Sequence, residues 1–200
     1  MTTARNPEQT RERILHAAFE EIHIHGFQGM RIEHILAATG LAKGALYHHF
    51  ENKQALGYAV VEEVIQEHHA STWREPLLAA TDPITALQTL LRSFTERHSK
   101  EEILRGCPLN NLVQEMSGLD EGFHQRLRQI YVDWSATIAD ALAAGQRNNI
   151  VRTDIDSESV AMFIVSSTQG LLGAAKCMQS TATLQRLCNT LADYLETLRA

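Results

Sequence analysis

The 200-residue chain is 44% apolar and 21% charged, which is ordinary for a globular protein and enough to bury a sizeable core in one large or two small domains. A net charge of −6 at first opposes nucleic-acid binding, yet residues 1–60 carry six cations (Arg5, Arg11, Arg13, Arg31, Lys43, Lys53) against six anions, so the whole negative balance lies in the rest of the chain. Three cysteines without a CxxC pair (Cys107, Cys177, Cys188) argue against a disulfide framework and for a reducing compartment. The N-terminus has no apolar signal core, and the longest apolar stretch is broken by Ser166, Ser167, Thr168 and Gln169, so the chain reads as cytoplasmic with no membrane span.

In chain order the periodicity predicts an all-α protein of about nine helices. Asn6 and Pro7 open the first helix, whose apolar face carries Ile14, Ala17, Ala18, Phe19 and Ile22, and Gly26 ends it. A short helix follows over 32–38, then the turn Thr39-Gly40-Leu41, a second short helix over 42–49, and a long helix from about Asn52 past Glu67. Asp82 with Pro83 starts a helix to about Lys100, and Pro108 opens a shorter one to about Met116. A long helix ends near Gly145, Asp156 caps a helix to about Cys177, and "QST" caps the last.

Two short helices joined by a three-residue turn containing glycine form a helix-turn-helix arrangement. Ile32, Ile35, Leu36, Leu41, Leu46 and Phe50 point inward in this reading, which leaves Lys43, Gly44, Ala45, Tyr47 and His48 on the outer face. Gly44 and Ala45 are small enough for close backbone approach, while Lys43, Tyr47 and His48 supply donors for phosphates or base edges. Lys53, at the next helix N-terminus, is placed to hold a phosphate. By composition alone the same pattern also describes an αα-corner with a solvated polar face.

The phrase "GFQGMRIEHILAATGLAKGALYHHFENKQAL" resembles the N-terminal DNA-binding region of the TetR family of bacterial transcription regulators, over residues of about 10 to 60. The resemblance implies a homodimeric regulator, a repressor in most relatives, that sets its third helix in the major groove of a pseudo-palindromic double-stranded DNA operator. It implies a helix-turn-helix domain over 1–52 and a helical ligand-binding and dimerisation domain over 53–200. Carried over by position, Lys43, Gly44, Ala45, Tyr47 and His48 lie on the recognition helix, and Tyr47, His48 and Lys53 are the phosphate contacts. The sequence departs from the family pattern at three points. Arg31 stands near a usual hydroxyl residue and offers a charged phosphate contact instead. Leu36 replaces a small alanine, and Ala42 replaces a common serine and so loses a cap.

Beyond residue 60 the effector is not named by the family, and two readings stay open: a reversible small molecule, or an electrophile that modifies Cys107. "RGCPLNNLVQEMS" resembles one branch of the family in which this cysteine senses electrophiles or oxidants. Here Cys107 stands at a helix start, where the dipole favours thiolate, but it equally reads as a small buried apolar residue. Lys176 is one of four lysines and either lies near that thiol or complements a helix end. Ten histidines show no convincing carboxylate–histidine set, so neither a metal nor a cofactor is expected. The dimer surface is expected from the last two long helices, with Phe163, Gly170, Gly173, Leu184 and Leu191. Two rivals have a different character: a cysteine-dependent enzyme, with His98 or His124 as base to Cys107, and a helical interaction module without DNA binding.

Overall fold

The computed structural model describes residues 6–200; residues 1–5, with Arg5 among them, lie outside the described residues. Helix α1 spans Pro7–Gly29, α2 Ile32–Thr39 and α3 Lys43–His49. A continuous helical stretch follows: α4 Lys53–Ala59, a π-helical segment Val60–Ile65, α5 Gln66–His69, a second π segment Ala70–Arg74, and α6 Glu75–Ala79. Then come α7 Pro83–Arg92, α8 Phe94–Arg97, α9 Lys100–Arg105, α10 Pro108–Met116, α11 Glu121–Arg147, α12 Ser157–Met178 and α13 Thr181–Glu196. Among the described residues there is no strand, only an isolated bridge between Val151 and Arg199.

The caps fall where the sequence placed them. Asn6 accepts from the Glu8 amide, Asn52 from Ala55, Asp82 from Ile84 and Thr85, Asp156 from Ser159, and Ser180 from Thr183. The helix expected from Asp82 to about Lys100 is instead three pieces. It breaks at Ser93 and at His98, whose backbone is extended, and Ser99 then starts α9 with a capping box completed by Glu102.

The chain divides into two units: residues 1–67 with 111–127, and residues 68–110 with 128–200. In the first unit Ile14, Ala18 and Ile22 of α1, Ile35 of α2, Leu46 of α3, and Leu56 and Val60 from the following helix are buried together with Phe123 and Leu127. Gly57 is required here by packing: a Cβ at this position would lie 2.5 Å from the Phe27 ring and 2.8 Å from Phe123. In the second unit the core gathers Trp73, Leu87, Leu91, Trp134, Ile138, Ile164, Val165, Leu172, Leu184, Cys188, Leu191 and Leu195. Helix α12 has the length and mean hydropathy (1.3) of a membrane span, but its inward residues, among them Ala161, Ile164, Val165 and Leu172, are part of this core. Burial pushes the Cys188 thiol up to about 11, so it behaves as a small apolar side chain.

Candidate functional site

Helix α2 ends because Gly40 takes the left-handed conformation (φ 64°) while its N–H closes on the Leu36 carbonyl at 2.8 Å. Thr39 tightens the same turn through its hydroxyl, which donates to the Ile35 carbonyl at 2.7 Å, and Arg13 of α1 donates to the Thr39 carbonyl at 2.5 Å. The chain re-enters helix at Lys43 with Ala42 as N-cap and no side-chain cap, as the replacement of serine implies. Leu41, Leu46 and Phe50 bury the inner side of α3.

The opposite side of α3 is open. Lys43, Gly44, Tyr47 and His48 are exposed and Ala45 is half-buried. A Cβ added at Gly44 would meet nothing within 4 Å, so the backbone there can be approached closely. The Lys43 ammonium lies 5.8 Å from the centre of the Tyr47 ring, one turn along the same face. His48 and His49 meet edge to face at 5.4 Å; burial, with the nearby His48 and Arg11 charges, lowers the His49 imidazole from its ordinary value. Arg31 is exposed at the start of α2.

Lys53 differs from the expectation. Its ammonium donates to the carbonyls of Gln28 (3.0 Å) and Met30 (2.8 Å) and sits 5.2 Å from the Phe27 ring centre. Two of its three N–H donors therefore hold the segment before α2, which leaves one for a phosphate. The same segment is gripped from the other side by a residue that sequence reading overlooked. Gly26 kinks the end of α1 at φ 75°, ψ 168°, and the Glu115 carboxylate of α10 accepts from the freed amides of Phe27 (2.9 Å) and Gln28 (2.8 Å). A Cβ at Gly26 would fall 2.7 Å from a Glu115 oxygen, so the kink and the carboxylate require each other. No local pattern in "LVQEMS" marks this role, because its partners lie more than eighty residues away.

In the second unit Cys107 is half-buried at the start of α10 and packs against the core beside Tyr131. Burial pushes its thiol up; the Asn110 and Leu109 amides and the Gln169 side chain pull the other way without prevailing. The helix-start argument for a thiolate is thus reversed by desolvation. Lys176 is exposed near the end of α12.

A set of aromatic and polar groups surrounds this region. His69 meets the Trp134 ring at 4.4 Å, Trp73 meets it at 4.9 Å and Tyr131 at 6.4 Å. Burial drives His69 down to about 4, with the His68 charge adding to the effect, and raises Tyr131 to about 12. Among the described residues, the buried His69 Nε2 and Trp134 Nε1 have no hydrogen-bond partner, and the amide of Gln169 has none beyond the weakly bonding Cys107 thiol. An unsatisfied buried polar atom costs about 1–3 kcal/mol.

The dimer residues separate into two groups. Leu184 and Leu191 are corrected: they are buried in the protomer's own core, because the stripe Leu184, Cys188, Leu191 and Leu195 of α13 packs inward with α7 and α12 as neighbours. Phe163 is 51% exposed and stacks edge to face on Tyr194 at 5.3 Å, with Met162 exposed beside it. Cβ atoms at Gly170 and Gly173 would meet nothing within 4 Å.

The expectation of no carboxylate–histidine set is also corrected. Glu21 and His25 of α1 and His34 of α2 bring their ligand atoms within 4.8 Å of one another. Glu21 and His25 have helical i,i+4 spacing, legible in the sequence, but His34 joins them only through packing of α2 on α1.

Comparison with known proteins agrees with this geometry. Residues 14–60 match the profile of "Bacterial regulatory proteins, tetR family", and residues 83–191 match that of "Tetracyclin repressor-like, C-terminal domain". The chain is 31% identical over 185 residues to an HTH-type transcriptional regulator in lacX 3'region of Lactococcus lactis subsp. lactis, covering 90% of each. It is 26% identical over 173 residues to the HTH-type transcriptional repressor DhaR of Mycobacterium sp. (strain GP1), covering 85% of this chain and 84% of that one. The crystal structure of a TetR transcriptional regulator from Chloroflexus aurantiacus superposes with a TM-score of 0.85 at 27% identity, covering 98% of both chains. The glycine-turned α2–α3 pair, the polar face of α3 and these matches together place the chain in the TetR family of transcriptional regulators, with an N-terminal helix-turn-helix domain for DNA and a helical C-terminal domain of the ligand-binding type.

Proposed function

We propose that the protein is a cytoplasmic homodimeric repressor that leaves a pseudo-palindromic operator when a small molecule occupies its C-terminal helical domain. The DNA-reading domain is residues 1–52 and the sensing and dimerising domain 53–200. The observation that carries this reading is the row Lys43, Gly44, Tyr47 and His48, all exposed, with half-buried Ala45 among them, beside the buried Leu46 and Phe50. The exposed side chains of this row lie outside the buried core, and an open Gly44 lets the helix backbone lie against a groove. Arg31 and the remaining donor of Lys53 flank that row as backbone contacts.

Of the two signals, the structure favours the reversible ligand. Burial pushes the Cys107 thiol up, which works against a ready thiolate and so against both the electrophile sensor and an enzyme nucleophile. His98, the nearer candidate base along the chain, is stacked on Phe94 at 4.2 Å with its Nδ1 on the Phe94 carbonyl. The under-satisfied Gln169 amide, the Trp134 N–H and neutral His69 suit an uncharged molecule with both donor and acceptor groups. The ligand must favour the non-binding state by about 1–3 kcal/mol for typical coupling.

The test is fluorescence anisotropy with DNA from beside the protein's own gene, across a salt series. Lys43→Ala should weaken binding and lower the salt slope by about 1 for each phosphate that the side chain no longer neutralises. An unchanged slope and affinity would overturn the assignment of α3. Thiol alkylation of wild type and Cys107→Ser then separates the signals: release of wild type alone would restore the electrophile reading.

A further inference from the structure

The Glu21, His25 and His34 cluster is not used by the DNA-reading face or by the effector region. The Glu21 side chain is only 10% exposed, while the two imidazoles are about half exposed, at 47% and 49%. The carboxylate is held at its back by the Arg31 amide, which donates to Oε1 at 3.2 Å. His34 Nδ1 lies 2.8 Å from the same oxygen, and His25 Nε2 lies 3.7 Å from Oε2. The rings of His25 and His34 are 6.0 Å apart. Three ligand atoms thus converge from two helices, with solvent on the open side.

We propose that Glu21, His25 and His34 bind one divalent transition-metal ion of the zinc class, with water completing the coordination. The chemistry of the donors selects the ion. Two imidazole nitrogens and one carboxylate, with no thiolate, suit zinc-like borderline cations and disfavour Cu(I), and calcium would need more oxygen ligands than are present. The Arg31 amide supplies the outer bond that orients a ligating carboxylate. On binding, the His34 Nδ1 hydrogen shared with Glu21 passes to water while the half-exposed Nε2 side takes one up from water, and the freed Nδ1 lone pair goes to the ion. The ion would tie α1 to the first turn of α2, inside the helix-turn-helix unit.

The experiment uses the full-length protein, stripped of metal, titrated with zinc chloride against a chromophoric zinc indicator, and with cobalt(II) as a spectroscopic substitute. The expected result is one zinc per protomer at this site, visible d–d bands with cobalt, and a thermal midpoint that rises with zinc. His25→Ala, His34→Ala and Glu21→Gln should each weaken binding by about ten-fold or more and abolish the thermal shift, with His124→Ala as the unaffected control. His25 and His34 are exposed and Glu21→Gln keeps an oxygen for the Arg31 amide, so these variants retain the fold, which circular dichroism verifies. Absence of zinc binding in the wild type, or equal binding by wild type and all three variants, overturns the proposal.

Discussion

Replacing Glu115 by alanine removes the acceptor of two backbone N–H groups at the Gly26 kink, those of Phe27 and Gln28, at 2.9 and 2.8 Å. A hydrogen bond to a charged group contributes about 1.5–3 kcal/mol, but the Gln28 amide is exposed and water can replace most of its bond. The Phe27 amide is partly buried and loses more. The net cost is therefore about 2 kcal/mol, or roughly a thirty-fold rise in the opening equilibrium of this segment. Amide hydrogen exchange by NMR reads it directly, as a matching loss of protection at Phe27 and Gln28. Glu115→Gln keeps one acceptor oxygen and should lose about half as much, while Gln114→Ala, on the exposed side of α10, should change nothing. Operator affinity should fall in the same order, because the clamped segment leads into Arg31 and α2. Unchanged protection at both amides in Glu115→Ala would refute the reasoning.

Three other substitutions test separate parts of the structure. Gly57→Ala places a methyl 2.5 Å from the Phe27 ring and should cost about 1–3 kcal/mol, read as a lower urea midpoint. His69 is held neutral in the fold with a pKa of about 4, against about 6.5 when unfolded, so its stability contribution is complete above pH 6.5 and declines as pH falls to 4, by on the order of 3 kcal/mol. His69→Leu should flatten that part of the stability–pH curve, and an unaltered slope would assign it elsewhere. Gly170→Leu projects into open space and should leave the protomer's stability within about 0.5 kcal/mol. If α12 forms the homodimer face, sedimentation should show the variant dissociating at concentrations where the wild type is dimeric.

Much of this protein is determined locally. Caps at Asn6, Asn52, Asp82, Asp156 and Ser180 and the left-handed Gly40 follow from short-range chemistry, so the helices and the α2–α3 turn are legible in sequence. The same holds for Gly44 on the outer face of α3, since in this helix it lies two residues from the buried Leu46 and so on the opposite side. What tertiary structure decided are the properties that depend on distant partners. Lys53 is drawn to the Gln28 and Met30 carbonyls, Glu115 caps a kink in α1, and His34 meets Glu21 and His25 across two helices. The thiol of Cys107 shows the same division: its place at a helix start argued for thiolate, and only the packed core beside it, by excluding water, turned its acidity the other way. Leu184 and Leu191 repeat the point, since amphipathic spacing shows that a stripe must be buried, and only the positions of α7 and α12 determine that the protomer itself buries it.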